Sequence, residues 1–197
     1  MKKKIALLMA CVMAFGIAVG GTLAWLTDTT TPVVNTFTES DIDITLVETD
    51  ADKDGKADEN AYKMIPGYEI TKDPKVTVLA ASEKCYLFVK LEKANNFDNF
   101  MTYEMADNWI ALEGVAGVYY RVVEDTNADQ TFDVLKGNKV IVKNGVTKAM
   151  MDGLSSANYP KLTVTAYASQ YNQNATTAFE PADAWANIAN PTATPAT

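Results

Sequence analysis

After residue 30 the dominant pattern along the chain is an alternation of apolar and polar side chains with a period of two, which predicts strands with one face buried and one in water. Ile42, Ile44 and Leu46 alternate with Asp41, Asp43 and Thr45, and Val76 and Val78 with Lys75 and Thr77. In Cys85-Tyr86-Leu87-Phe88-Val89-Lys90-Leu91 the residues Cys85, Leu87, Val89 and Leu91 share one face. Further strands are predicted at 118–124, 131–135, 139–143 and 161–169. Turn-forming residues separate them: Pro66-Gly67, Asp73-Pro74, Lys136-Gly137-Asn138 and Asn144-Gly145. Two stretches switch to helical spacing. One is 147–154, with Met150, Met151 and Leu154; the other is 181–189, with Trp185 and Ile188. Many short strands with turns between them predict an all-β fold, an antiparallel jelly-roll-like β-sandwich with one or two short helices, over residues 41–189. The tail, 190–197, is rich in Pro, Thr and Ala, and its composition predicts disorder.

The N-terminus follows a different pattern. Lys2, Lys3 and Lys4 precede an apolar run from Ile5 to Val19, and Gly20-Gly21-Thr22-Leu23-Ala24 then supplies small residues. This is the layout of a secretory signal peptide over 1–24, cut between Ala24 and Trp25. The apolar stretch can also be extended to Leu26, which brings it near membrane-spanning length, so an uncleaved anchor is the alternative. Leu8-Met9-Ala10-Cys11 resembles a lipoprotein box but sits too close to the lysines, and the apolar run continues past it. Residues 25–40 are then an N-terminal arm or first strand.

Processing changes the charge inventory. The whole chain of 197 residues holds 17 Lys+Arg and 25 Asp+Glu. Without Lys2, Lys3 and Lys4, the 173 residues from Trp25 onward keep 14 basic and 25 acidic side chains, a net charge of −11. So acidic a chain is poorly suited to gripping phosphate backbones, and no nucleic-acid partner is expected. The sequence contains no histidine, which excludes Ser-His-Asp and Cys-His catalysis, HExxH zinc hydrolysis and His-ligated metals. Of two cysteines only Cys85 lies beyond the leader, so no internal disulfide and no four-cysteine zinc site can form. Its apolar and aromatic neighbours predict a buried, inert thiol.

The sharpest chemical motif is Asp50-Ala51-Asp52-Lys53-Asp54-Gly55-Lys56-Ala57-Asp58. Carboxylates at loop positions 1, 3, 5 and 9, with Gly at 6, match the start of a calcium loop, because a hard cation needs convergent oxygens and the glycine permits the sharp turn. Position 12, where an EF-hand places its bidentate acid, is Ala61. Asp50, Asp52, Asp54 and Asp58 are thus candidate calcium ligands, with a solvated acidic loop as the alternative. Asp125, Asn127, Asp129 and Asp133 echo the spacing, but Gln130 replaces the glycine, and this segment is read as a solvated loop. Asp41 and Asp43 are expected on the solvent side of their strand. Tyr119, Tyr120, Tyr167, Tyr171, Trp109 and Trp185 are expected mainly in core and cross-strand packing, with a sugar or peptide groove as the alternative.

The segment from Gly20 to Asp28, followed by Asn35-Thr36-Phe37-Thr38 and the 41–46 strand, resembles the TasA/camelysin family of Gram-positive surface proteins. Pro66-Gly67-Tyr68-Glu69-Ile70-Thr71-Lys72-Asp73-Pro74-Lys75-Val76-Thr77-Val78 and Tyr86–Lys90 are similar to further family stretches, as are 162–167 and 182–188. The resemblance implies a jelly-roll sandwich whose signal peptide is removed by a SipW-type signal peptidase. It also implies secretion to the cell surface or extracellular matrix, with membrane contact only through the signal peptide before cleavage. For the fibre-forming members it implies biofilm matrix fibres in which the N-terminal strand of one subunit completes the sheet of the next. In this chain the donor would lie within 25–38 and include Thr29, Val33, Val34 and Phe37. Pro32 cannot donate to a ladder and must sit at an edge or between two short strands. The same segment could instead be the first strand of its own domain. The expectation is a secreted structural protein that self-associates or joins matrix partners, with a glycan- or peptide-binding adhesin module as the alternative. The family resemblance also brings a camelysin-type metallopeptidase reading, against which the absence of histidine and of a zinc motif argues. No enzymatic activity is expected.

Overall fold

Cys85–Val89 is a run of five apolar residues, and a strand of that composition needs cover on both faces rather than one. The computed structural model describes residues 41–56, 60–94, 96–125 and 127–189, all within the compact unit Glu39–Thr197. Their strands are β1 (Ile44–Val47), β2 (Glu69–Thr71), β3 (Lys75–Val78), β4 (Cys85–Lys93), β5 (Met101–Thr102), β6 (Ile110–Ala111), β7 (Val118–Val123), β8 (Gln130–Asp133), β9 (Lys139–Val142), β10 (Leu162–Gln170), β11 (Asn172–Asn174) and β12 (Thr177–Ala178). Three short helices join them: α1 (Phe97–Phe100), α2 (Lys148–Asp152) and α3 (Pro181–Ala189).

The strands pair antiparallel throughout. One layer is the four-stranded sheet β10-β4-β7-β6; the other is built from the three-stranded sheets β1-β3-β8 and β2-β9-β5. The fold is therefore the expected antiparallel β-sandwich. Between the layers, Cys85, Leu87, Val89 and Leu91 of β4 share one core with Val76 and Val78 of β3, Ile70 of β2, and Val140 and Val142 of β9. The alternation expected for these segments is the alternation observed.

The other face of β4 carries Tyr86 and Phe88, and it is not wet. Phe88 is fully buried in a second cluster with Val118, Leu112 and Ala184, against which Tyr120, Tyr167, Trp185 and Ile188 pack. The cover comes from α3. Pro181 opens that helix at a position where its missing N–H costs nothing, and Trp185 stands 5.4 Å from the Phe88 ring and 5.2 Å, edge on, from Tyr167. Tyr86 keeps its hydroxyl satisfied by donating to the Phe179 carbonyl at 2.7 Å. β4 is thus buried on both faces, whereas its alternation predicts a half-buried strand.

Both expected helices form. α2 starts at a Thr147 cap whose side chain accepts from the Met150 N–H. A third, unexpected helix, α1, brings Phe97 and Phe100 into the inter-sheet core within a single turn. β2, β5, β6, β11 and β12, of two or three residues each, were not foreseen, since so few residues cannot display a period. Pro66-Gly67 forms its turn: Gly67 has a φ of 79°, and Tyr68 N–H donates to Ile65 O at 3.0 Å.

Removing the α3 indole should expose the aromatic face of β4. Trp185→Ala is expected to lower the unfolding free energy by about 3 kcal/mol, the low end for loss of a packed aromatic side chain. Urea denaturation would measure it, and a change under about 0.5 kcal/mol, the size of an ordinary surface substitution, would mean that α3 is not an essential cover.

Candidate metal centre

The Asp-rich loop hangs between two anchored feet. At its start, Glu48 forms an ion pair with Lys72 at 2.9 Å, and both side chains are mostly buried. Tyr62, on the returning side, donates its hydroxyl to the same carboxylate at 3.0 Å. Burial, and then the Glu48 carboxylate, raise the Tyr62 pKa, so the phenol stays protonated and keeps donating. Thr49 is tied to Asp73 through its backbone N–H at 3.0 Å and its hydroxyl at 2.7 Å. Asn60 closes the neck, accepting from Ala51 N–H at 2.6 Å and donating to Thr49 O at 3.0 Å.

Above that neck the carboxylates converge. Asp50, Asp52 and Asp54 each bring an oxygen within 4.8 Å of the other two. Asp50 accepts from the N–H groups of Asp54 and Gly55, Asp54 from Lys56, and Asp52 from Ala61. Lys53 and Gly55 take positive φ angles of 60° and 87°, which curl the chain around the acids. Ala61 therefore supplies an N–H at the position where an EF-hand has a carboxylate. That bond leads the causes that hold the Asp52 carboxyl below its ordinary range. Asp58 lies outside the described residues. An all-oxygen, largely exposed, anionic set fits a hard cation such as calcium and not zinc, with water completing a shell of six to eight oxygens.

If the loop takes calcium in the weak extracellular range, a tenfold excess over Kd should stabilise the protein by about 1.4 kcal/mol. Melting with millimolar calcium chloride against a chelator would show it. Asp54→Asn should remove most of the increment, and equal melting temperatures for the native chain in the two buffers would dismiss the site.

The second acidic segment does not gather a cation site. Asp129 accepts from Ala80 N–H at 2.8 Å, and Asp133 pairs with Lys75 at 3.1 Å. Asp41 and Asp43 are solvent-exposed, as expected. The aromatic residues serve packing: Tyr120 meets Tyr86 edge on at 6.0 Å, Tyr171 lies 5.0 Å from Tyr86, and Tyr119 lines the inter-sheet core. Trp109 is buried, with its Nε1–H donating to Asp133 O at 2.9 Å. The cleavage pair Ala24 and Trp25, and the arm residues Thr29, Val33, Val34 and Phe37, lie outside the described residues.

Cys85 is fully buried, and burial pushes its thiol up to about 11. In the native protein at pH 8 it should be inert to Ellman's reagent and titrate as one thiol per Trp25-initiated chain only on unfolding. Rapid native labelling would contradict this burial.

No motif in the sequence singles out Arg121. It is the only arginine in the chain, and the parity of 118–124 puts it on the face of Tyr119 and Val123, which is the core face. A lone arginine at an inward position was the available signal. Comparisons with family models, with curated proteins and with solved structures found no match to this chain.

Proposed function

We propose that this chain is a secreted structural protein of the TasA/camelysin type, a subunit of an extracellular matrix or fibre that assembles by strand addition. The supporting observation is the lateral side of the sandwich where β1 and β10 lie next to each other. Each is the last strand of its sheet among the described residues. β10 is nine residues long, and among the described residues all of its pairing is with β4. An edge of that length offers a row of N–H and C=O groups to an incoming strand.

The side chains on this flank match. Ile44 and Leu46 stand opposite Val78 and Val76, hence on the core face, yet Leu46 is 37% exposed. Leu162, Val164 and Ala166 of β10 contribute to the same core while only half-buried. The flank is therefore an apolar seam that a Thr/Val-rich strand would close. The segment 25–40, immediately before β1 in the chain, has that composition and is the proposed donor. A donor reaching a neighbour head to tail gives an open filament when the rotation between neighbours does not close a ring.

In this reading a SipW-type signal peptidase removes residues 1–24, and the net charge of −11 keeps free subunits soluble until strands meet. The role is non-catalytic. It needs no nucleophile or metal hydrolase centre, and a chain without histidine whose one thiol beyond the leader is buried is consistent with that.

Two secreted forms test the assembly, one beginning at Trp25 and the other at Asp41. The longer is expected to polymerise, seen by light scattering and electron microscopy, and the shorter to remain monomeric while keeping its far-UV spectrum. Two monomeric forms would reject strand addition through the arm.

A further inference from the structure

Arg121 occupies an unusual position for a cation. It lies on the inner face of β7, opposite Leu87 of β4, and its guanidinium carbon stands 3.8 Å from the centre of the Phe132 ring and 5.4 Å from that of Trp109. The two aromatic faces compensate part of the lost hydration through cation–π attraction. They provide no acceptors, however. The Arg121 Nε is buried and makes no hydrogen bond, and among the described residues no carboxylate forms an ion pair with the guanidinium. Of the nearby charges, Asp133 pairs with Lys75 at 3.1 Å and Lys136 with Glu104 at 3.5 Å, both exposed pairs, and the exposed Asp107 makes no ion pair among the described residues.

Beside this fork of donors the sandwich is open. A cavity of about 330 Å³ lies along β8 and the turn after it, lined by Asp107, Arg121, Phe132, Asp133, Lys136 and Gly137 among others. That is the lower end of the range for small-ligand sites, large enough for one sugar ring or amino acid. Its walls are fixed. Ala106 N–H donates to Val134 O at 3.0 Å, Lys136 N–H donates to Glu104 O at 2.9 Å, and the Asp133 carbonyl accepts from the Trp109 indole at 2.9 Å. A planar guanidinium stacked on an aromatic ring, with donors left over, is matched by a carboxylate, which accepts two parallel N–H bonds.

We propose that this cleft binds the carboxylate of a small organic acid, of the size of a sugar acid or a single amino acid, with Arg121 as the anchor and Lys136 as a second cation at the rim. Asp107 sets the specificity. Its negative charge at the mouth disfavours polyvalent anions and leaves room for a single carboxylate on an otherwise neutral, hydroxyl- or amide-bearing body.

Because Arg121 is the only arginine, its Nε–H gives a single arginine resonance in the ¹⁵N-labelled chain, and the Trp109 indole N–H reports on the ring 5.4 Å from its guanidinium carbon. Titration with galacturonate, N-acetylalanine and neutral methyl galactoside separates the possible sources. One or both carboxylates should shift the two resonances in a saturable way at millimolar concentration, the responding compound naming the source, and methyl galactoside should not. Arg121→Lys should weaken binding about tenfold by losing the bidentate fork, and Asp107→Asn, which leaves the stacked guanidinium in place, should tighten it. Failure of both acids to shift either resonance in the native chain overturns the proposal, as does an equal response to methyl galactoside. So does undiminished binding by folded Arg121→Gln protein.

Discussion

The structure depends on the burial of β4 from both sides. Its inner row, Cys85, Leu87, Val89 and Leu91, holds the two layers of the sandwich together, and its outer row, Tyr86 and Phe88, requires α3. Each fully buried side chain of this size contributes about 1.5–3 kcal/mol, so a strand buried on both faces concentrates stabilisation that an ordinary sandwich strand spreads over one. The partners follow from it. β7 and β10 flank β4, and both contribute side chains to the two clusters, Val123 inward and Val118 outward, Ala166 inward and Tyr167 outward. The pairing of β4 with β7 stops under a further constraint just past Lys90. Leu91 N–H donates to Gly117 O at 2.8 Å, and a side chain at position 117, where φ is 74°, would stand 2.5 Å from the Leu91 carbonyl oxygen. Only glycine fits there.

With the core so placed, the polar chemistry falls on the periphery in two distinct regimes. Most ion pairs, such as Lys148–Asp152 or Lys93–Asp98, are exposed and worth little. Glu48–Lys72 differs, being mostly buried and shared with Tyr62, and its work is to anchor the two feet of the acidic loop. The acids of that loop are drawn together by N–H donors of its own backbone, which offset part of their mutual repulsion. Arg121 represents a third case, a cation inside the sandwich stabilised by ring faces instead of an acid.

The proposed assembly and the proposed ligand cleft occupy opposite flanks of the same layers, because the two ends of each sheet differ. On one flank β1 and β10 leave an apolar seam, suited to another strand. On the other, the β8 edge meets the segment from Tyr103 to Trp109, whose hydrogen bonds to Val134 and Asp133 narrow the opening to a pocket. A sandwich whose open sides differ in this way can bind a partner at one without blocking the other.

Much of this was legible in the order of residues. Period-two alternation located β1, β3, β4, β7, β8, β9 and β10 within a few residues, and helical spacing located α2 and α3, because which face a side chain meets depends on its own parity. The cluster of Asp50, Asp52 and Asp54 was legible for a similar reason: its members lie four residues apart at most and are brought together by a local turn. What the sequence could not decide was anything that rests on distant pairing. That Tyr86 and Phe88 are dry depends on a helix some ninety residues later in the chain; α1 is a helix because Phe97 and Phe100 plug the core, in a single turn too short to hold itself. Parity placed Arg121 inward, but only the packing of β8 beside β7 set it on Phe132, with no ion pair to an acid among the described residues. Local pattern determined the elements and their faces; the tertiary structure decided what each face meets, since that depends on which strands become neighbours and not on the residues alone.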